Sequence, residues 1–342
     1  MKPQNFEETI IWYAIIGTYG VYFTGTLYIL YPLLAWFLVA YLILKFWLQT
    51  NETPEEEKIV IPWGVWVWIF SMSVMLIALI MGHLNFELGT YQLIKSMLDQ
   101  FPRTWGLFAA FALVGCLNIR PQLVYRAVAI LCLQSIIYIV VGNLTYRLGI
   151  DGVLYTTPFG RFAGGNSAAS VLLYAYDDFD REFRLQLFTP FAPALGVVGN
   201  VYFWLTCYEQ NPKWRWIGII GSILMIWYSF SRTGRICIIV VPVLIWFLTN
   251  VRRPWVQLTA AVSSFVTSIL SYQILYWLKD YSINQRKARA ASTKIRGRIQ
   301  RESLRRWWDE APIWGHGMGD RTAGRFFSEK MIGSHGMWHG VL

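Results

Sequence analysis

The sequence predicts an all-α, polytopic membrane helical bundle with about nine spans and a large outer-face loop. Three observations predict it. The chain of 342 residues is 55% hydrophobic and only 15% charged, where soluble domains carry about 25% charged residues. Apolar runs of roughly 20 residues recur, each long enough to cross a ~30 Å hydrocarbon core as a helix. In lipid the backbone has no water to bond to, and a helix satisfies its own amides and carbonyls. The short alternating segments of a membrane β-barrel are absent.

The elements follow in order. Residues 10–48 form one apolar stretch too long for a single span. Pro32 and the glycines Gly17, Gly20 and Gly25 predict two helices joined by a tight turn near residues 26–31. The polar linker QTNETPEEEK comes next. Residues 62–82 make a third span, with Pro62 at its start and Trp63, Trp66 and Trp68 at the interface. Residues 83–103 are a mixed loop. Spans four and five are 104–119 and 122–141, separated by NIRPQ, and a long loop covers 142–186. Spans six to nine are 187–208, 214–230, 236–249 and 255–278. Residues 1–278 thus form a transmembrane domain, and 279–342 a polar outer segment with 13 Lys/Arg against 6 Asp/Glu. No repeat of fixed period is present. The first apolar run has no small-residue cleavage site after it, so no cleavable signal peptide is expected.

Charge sets the orientation and narrows the partners. With a cytoplasmic N-terminus, segments 49–61, 118–121, 209–213 and 250–254 face the cytoplasm. Lys45, Lys58, Arg120, Arg126, Lys213, Arg215, Arg252 and Arg253 gather near them, a positive-inside pattern. The segment 279–342 then lies outside. The net charge of +10 points to anionic head groups or a phosphate-bearing substrate rather than to nucleic acid. Cys116, Cys132, Cys207 and Cys237 lie within or beside apolar runs without metal-ligand spacing, and read as small core residues.

Four constellations can carry chemistry. In YSFSRTGR, Arg232 and Arg235 lie at the outer end of two apolar helices beside Ser229, Ser231 and Thr233. Two guanidiniums with hydroxyls suit phosphate oxygens, and a helix starting near Thr233 would add its first amides. The plainer alternative is a pair of arginines snorkelling to the lipid interface. In TTPFGRFAGGN, Arg161 sits among Gly160, Gly164 and Gly165, which allow close backbone approach. The nearby Asp177, Asp178 and Asp180 could bind a divalent ion, or be a solvated loop. The stretch INQRKARAASTKIRGRIQRESLRRWWDEAP, residues 283–312, reads as a basic amphipathic helix. Lys294, Arg298, Arg301 and Arg305 fall within about 60° of one another, with Leu304, Trp307, Trp308 and Ala311 on another face. Such a helix either lies on acidic lipid or walls a cleft for a diphosphate. Last, WGHGMG and GSHGMWH hold His316, His335 and His339. His335 is flanked by Gly333, Ser334 and Gly336 and can take a proton from a hydroxyl at neutral pH. The three histidines fit no standard metal site, and none is expected.

These residues resemble the O-antigen ligase/polymerase superfamily of bacterial envelope enzymes. The features that carry the resemblance are the arginine-bearing turn FSRTGR between late spans and an outer stretch with W…EAPIWGHGMG followed by GSHGMW. IPWGVWVWIF, CLNIRPQ and KWRWIGIIGS look most like cyanobacterial O-antigen ligase-like, capsular-polysaccharide proteins. The resemblance extends over essentially the whole chain. It implies a multi-pass inner-membrane protein related in architecture to C-type glycosyltransferases. Such enzymes move a glycan from undecaprenyl diphosphate to an acceptor, lipid A-core or another surface glycan, on the periplasmic face. They need neither a nucleotide sugar nor an obligatory metal or other cofactor. By motif, Arg232 takes the place of a diphosphate-binding arginine, Arg235 that of a helper, and His335 that of the catalytic histidine. Arg161 is a looser match. Gly336 departs from the Asn or His that often follows the family's histidine. The chain also ends where the family continues through further spans, and a fragment is expected. A polymerase that extends the lipid-linked glycan, a polysaccharide transporter and a non-enzymatic membrane scaffold are the rival readings.

Overall fold

The computed structural model describes residues 2–50, 52, 54, 58–157, 170–176, 183–288 and 290–316. They are mostly helical. The chain divides into two compact units, each made of two segments: Met1–Ile59 with Gly115–Thr259, and Val60–Val114 with Ala260–Leu342.

The first unit begins with α1 (Phe6–Ile16) and α2 (Thr18–Phe23), followed by α3 (Leu27–Leu48). The turn into α3 is at residues 24–26, earlier than the composition suggests. Gly25 makes it, at φ +71°, a conformation that costs glycine little. A Cβ at Gly25 would also lie 2.6 Å from Thr157 Cβ. Pro32, the other expected breaker, lies inside α3, since apolar membrane helices tolerate a missing amide bond better than soluble ones. α7 (Pro121–Arg147) starts on a proline, where the absent N–H has no helical acceptor to lose.

Two small antiparallel hairpins lie in the long loop after α7. β1 (Val153–Thr156) pairs with β2 (Ser170–Leu172), and β3 (Ala175–Tyr176) with β4 (Phe183–Arg184). α8 (Ala192–Cys207), α9 (Pro212–Tyr228) and α10 (Arg232–Asn250) complete the helices lying wholly in this unit. In the second unit, α4 (Trp63–Asn85) precedes the short α5 (Thr90–Lys95), and α6 (Trp105–Val114) follows one π-helical and one 3-10 turn. The division between the units falls inside α11 (Pro254–Ile269), which leads into α12 (Ser271–Ala288) and α13 (Ala290–Glu310).

Among the described residues four helices, α3, α4, α7 and α10, are each long and apolar enough to cross a membrane. α11 and the start of α12 would add a fifth, but the two are bent by 71° at Leu270. The continuous apolar run at 255–278 gives no sign of that bend. α8, at 16 residues, is roughly 24 Å long at ~1.5 Å per residue. α6 has only 10 residues. Large apolar side chains lie open along the long helices, among them Phe70 on α4 and Ile239 on α10, as expected of surfaces that face lipid rather than water.

The core of the first unit is aromatic at its centre. Tyr19 stacks on Tyr138 with ring centres 4.2 Å apart and donates to Ser135 Oγ at 3.0 Å. Leu131, Cys132, Leu195 and Met225 pack around them, fully buried. α7 and α9 meet through Gly221, where a Cβ would lie 2.8 Å from both Cβ and O of Cys132.

One end of this unit carries ion pairs. Glu7 and Glu8, both buried, pair with Lys45 at 2.6 Å and with Arg120 at 2.6 Å. Arg126 pairs with buried Glu209 at 2.7 Å. The hydrogen bonds from Arg120 hold the Glu8 carboxyl down at about 2, against an ordinary 4.5. A depressed carboxyl stabilises the fold fully above its unfolded pKa, and loses that contribution as pH falls through the folded one. Stability is therefore expected to drop between about pH 4.5 and 2 through this pair. Glu8→Gln should lower the melting temperature at pH 7 and flatten that acid limb, as measured by thermal unfolding in detergent across pH.

The opposite end is covered by the long loop. The Tyr22 hydroxyl donates to Leu172 O at 3.0 Å and accepts from Leu172 N–H at 2.9 Å. Tyr28 donates to Phe188 O at 2.9 Å, and Leu185 N–H donates to Tyr228 O at 3.1 Å. Tyr155 bonds to Phe23 O. The side chains of Tyr22 and Tyr28, on the early helices, thus hold the backbone at residues 172 and 188 against the helix ends.

Candidate functional site

The turn from α9 to α10 lies at this end, and the two arginines of the SRTGR motif open α10 just after it. Ser229 and Ser231 are both buried in it. Ser229 Oγ donates to Ile226 O at 2.8 Å and accepts from Ser231 N–H at 3.2 Å. Phe230, between them, adopts φ +51°, a strained choice for a bulky residue. Ser231 is the N-cap of α10: its Oγ accepts from Gly234 N–H at 3.1 Å, and its carbonyl accepts from Arg235 N–H at 3.0 Å. A serine in this position satisfies one of the amides a helix start leaves open.

α8 holds the helix start from the side. Gly196 and Gly234 face each other so closely that a Cβ on Gly234 would lie 3.0 Å from Gly196 Cα. One on Gly196 would lie 2.6 Å from Ser231 Cβ. One turn further along α8, Asn200 Nδ2 donates to Gly196 O at 2.8 Å and to Gly234 O at 3.0 Å. Its Oδ1 is buried without a hydrogen-bond partner among the described residues.

The two arginines then differ. Arg235 folds back over the turn. Its guanidinium carbon lies 4.8 Å from the centre of the Trp227 ring and 5.2 Å from that of Phe230, and Nη2 donates to Trp227 O at 3.0 Å. Such a stack is a cation–π contact, and it clamps the strained Phe230 turn. Arg232 is the first residue of α10, and it and Thr233 are exposed. The amides of a helix's first turn have no acceptor within the helix, and α10 has no acidic residue there. The arrangement is an exposed guanidinium at the positive end of a helix whose Gly234 amide is capped by Ser231, a place that favours anions.

Arg161, His335 and His339 lie outside the described residues, as do Asp177, Asp178 and Asp180. His316 is described, in the second unit. Its Nε2 lies 2.9 Å from Glu310 Oε2, and its ring stacks on Phe86 at 4.9 Å between centres. Arg306 holds the same carboxylate at 3.0 Å and keeps it below the usual carboxylate range, with His316 adding to the effect. Among the described residues no three His, Cys, Asp or Glu side chains come together as a metal site. Asn200 and Gly196 were not singled out by the sequence. Their spacing of four puts both on one face of a helix, the only sign of them available there.

Compared with protein-family models, with curated proteins and with solved structures, the chain matches none.

Proposed function

We propose that the protein is a glycosyltransferase of the O-antigen ligase kind, moving a glycan from an undecaprenyl-diphosphate carrier to a surface glycan or glycolipid. The observation that carries this reading is the start of α10: an exposed Arg232 at the positive end of a helix, on a turn braced by Ser231, Arg235 and Asn200. It suits a diphosphate, and it belongs to a chain with several membrane-capable helices. The motif resemblance supports the same chemistry. In this reading the shorter helices cross as well, giving about nine spans in the bacterial inner membrane, and the α9–α10 turn faces the periplasm.

The diphosphate is a good leaving group, so the protein mainly neutralises charge and activates the acceptor. Arg232 and the first amides of α10 hold the diphosphate as the bond from sugar C1 to its oxygen breaks. Arg161 is a second phosphate ligand. His335 takes the proton from the attacking hydroxyl, and attack from the opposite face inverts the anomeric carbon. Arg235, committed to Trp227, acts by holding the turn.

The test is glycan attachment in a ligase-null strain carrying the gene. Arg232→Ala and His335→Ala should each lower attachment by roughly 10²-fold or more. Wild-type attachment by both variants sinks the assignment. Product length separates the polymerase reading: a polymerase null leaves single repeats, whereas a ligase null accumulates lipid-linked chains.

A further inference from the structure

We propose that one face of α13 is a docking surface for acidic phospholipid, held at the membrane interface by the residues that follow the helix. The inference does not depend on glycan transfer. It rests on two independent observations within the second unit.

The first is the face itself. Ser303 and Ala311 turn inward and are buried, and Trp307 is half-buried. Leu304 and Trp308, which the sequence groups with Trp307 and Ala311 on a separate apolar face, instead lie open beside the arginines, 48% and 68% exposed. Arg301 and Arg305 are exposed around them, and together they line a shallow groove with Asp309. Arg305 and Asp309 are 3.5 Å apart and both open to solvent, a pair too weak to hold the arginine from a better anion. Tryptophan and leucine between arginines match the layered chemistry of a lipid surface. The ring sits at headgroup depth, the aliphatic chain enters the acyl boundary, and the guanidinium reaches phosphate. The two guanidiniums of Arg301 and Arg305 favour anionic over zwitterionic lipid.

The second is the fastening. After α13, the chain turns at Gly315, where φ is +70°. That turn brings His316 onto Phe86 and Glu310. Phe86 is the residue immediately after α4, an apolar helix of 23 residues with the length and composition of a span. The C-terminal end of α13 is therefore tied to the point where α4 ends. A span ends at the headgroup layer, and the Arg301–Trp308 face is held within reach of it. The commitment is to lipid over a protein partner, because the face is basic and the tie is to the end of a span.

The test uses the full chain in nanodiscs of phosphatidylcholine with an equal amount of phosphatidylglycerol. One lipid or the other carries bromine on its acyl chains. The Trp308 signal is the difference in fluorescence between the protein and its Trp308→Phe variant. That signal should be quenched, and more strongly when phosphatidylglycerol carries the bromine. Arg301→Gln with Arg305→Gln should abolish the preference while leaving quenching by either lipid. These side chains are exposed, so folding should be unaffected, which size-exclusion elution of the discs verifies. An unquenched Trp308 in every disc, as for a face turned to water or to a protein, overturns the proposal. So does equal quenching by both lipids that the double variant leaves unchanged.

Discussion

Replacing Arg126 by methionine is expected to destabilise the protein by on the order of 3–5 kcal/mol, the usual cost of leaving a buried charge without its partner. Glu209 is 1% exposed. Its Oε1 accepts from Arg126 Nη2 at 2.7 Å and from Asn211 N–H at 3.0 Å. The guanidinium also lies over Trp214, at 5.4 Å from the ring centre. Without Arg126, one backbone amide remains for a carboxylate with almost no access to water. Changing both residues, to Arg126→Met with Glu209→Met, should recover most of the loss. Arg126 Nε and Glu209 Oε2 have no hydrogen-bond partner among the described residues, and an incompletely satisfied ion pair is matched by well-packed apolar groups. Unfolding in detergent, followed for the two single variants and the double, measures both effects. A double variant as unstable as Arg126→Met alone would show that the burden lies in lost packing rather than in an unpaired charge.

Gly221→Val should cost about 3 kcal/mol, the upper part of the range for overpacked cores. The new side chain would begin 2.8 Å from the backbone oxygen of Cys132. That oxygen belongs to α7 and cannot rotate away as a side chain could. Helices α7 and α9 would have to part along a contact that also includes Met225 and Leu131 in the core. Gly20 is the control. It lies in α2 with nothing within 4 Å of where its Cβ would be. There alanine removes only the flexibility of the unfolded glycine and should be neutral or stabilise by about 0.5–1 kcal/mol. Paired melting curves of Gly221→Val and Gly20→Ala would be decisive: equal effects would mean that the α7–α9 approach is not what Gly221 is there for.

The apolar runs made α4, α9 and α10 legible to within a few residues, because proline and polar residues mark their starts: Pro62, Pro212 and Ser231. Pro121 marks the start of α7 as well, but the helix runs on to Arg147, through residues the sequence assigns to the following loop. The bend at Leu270 carries no such mark, since neither glycine nor proline is near it. The turn at Gly25 was displaced toward Pro32 in the sequence reading because two breakers compete over a few residues and only packing against Thr157 decides between them. The hairpins after α7 are strands of two to four residues. They are too short to show an alternating pattern, and β2 is held by a hydroxyl 150 residues away, that of Tyr22 on Leu172. At the site, Arg232 was visible in SRTGR. The sequence offers Ser229 and Ser231 as hydroxyls for phosphate, whereas both are buried and bonded within the turn, Ser231 as the N-cap of α10. It offers Arg235 as a second phosphate ligand, and nothing in it marks the stack on Trp227 and Phe230 that folds the arginine back. Asn200 was not visible, because its bond to Gly234 joins positions 34 apart. Contacts of that kind follow from how helices lie together and leave no trace in either segment alone.

The bond between Tyr22 and Leu172 joins residues 150 apart. A growing chain adds roughly 5–20 residues each second, so the turn between α2 and α3 is synthesised some 8–30 s, by that rate, before its covering loop exists. For that interval the tyrosine hydroxyls at the head of the early helices have only water or lipid headgroups to bond. This end of the first unit thus closes late, and the α9–α10 turn is completed only after all of α9 has followed.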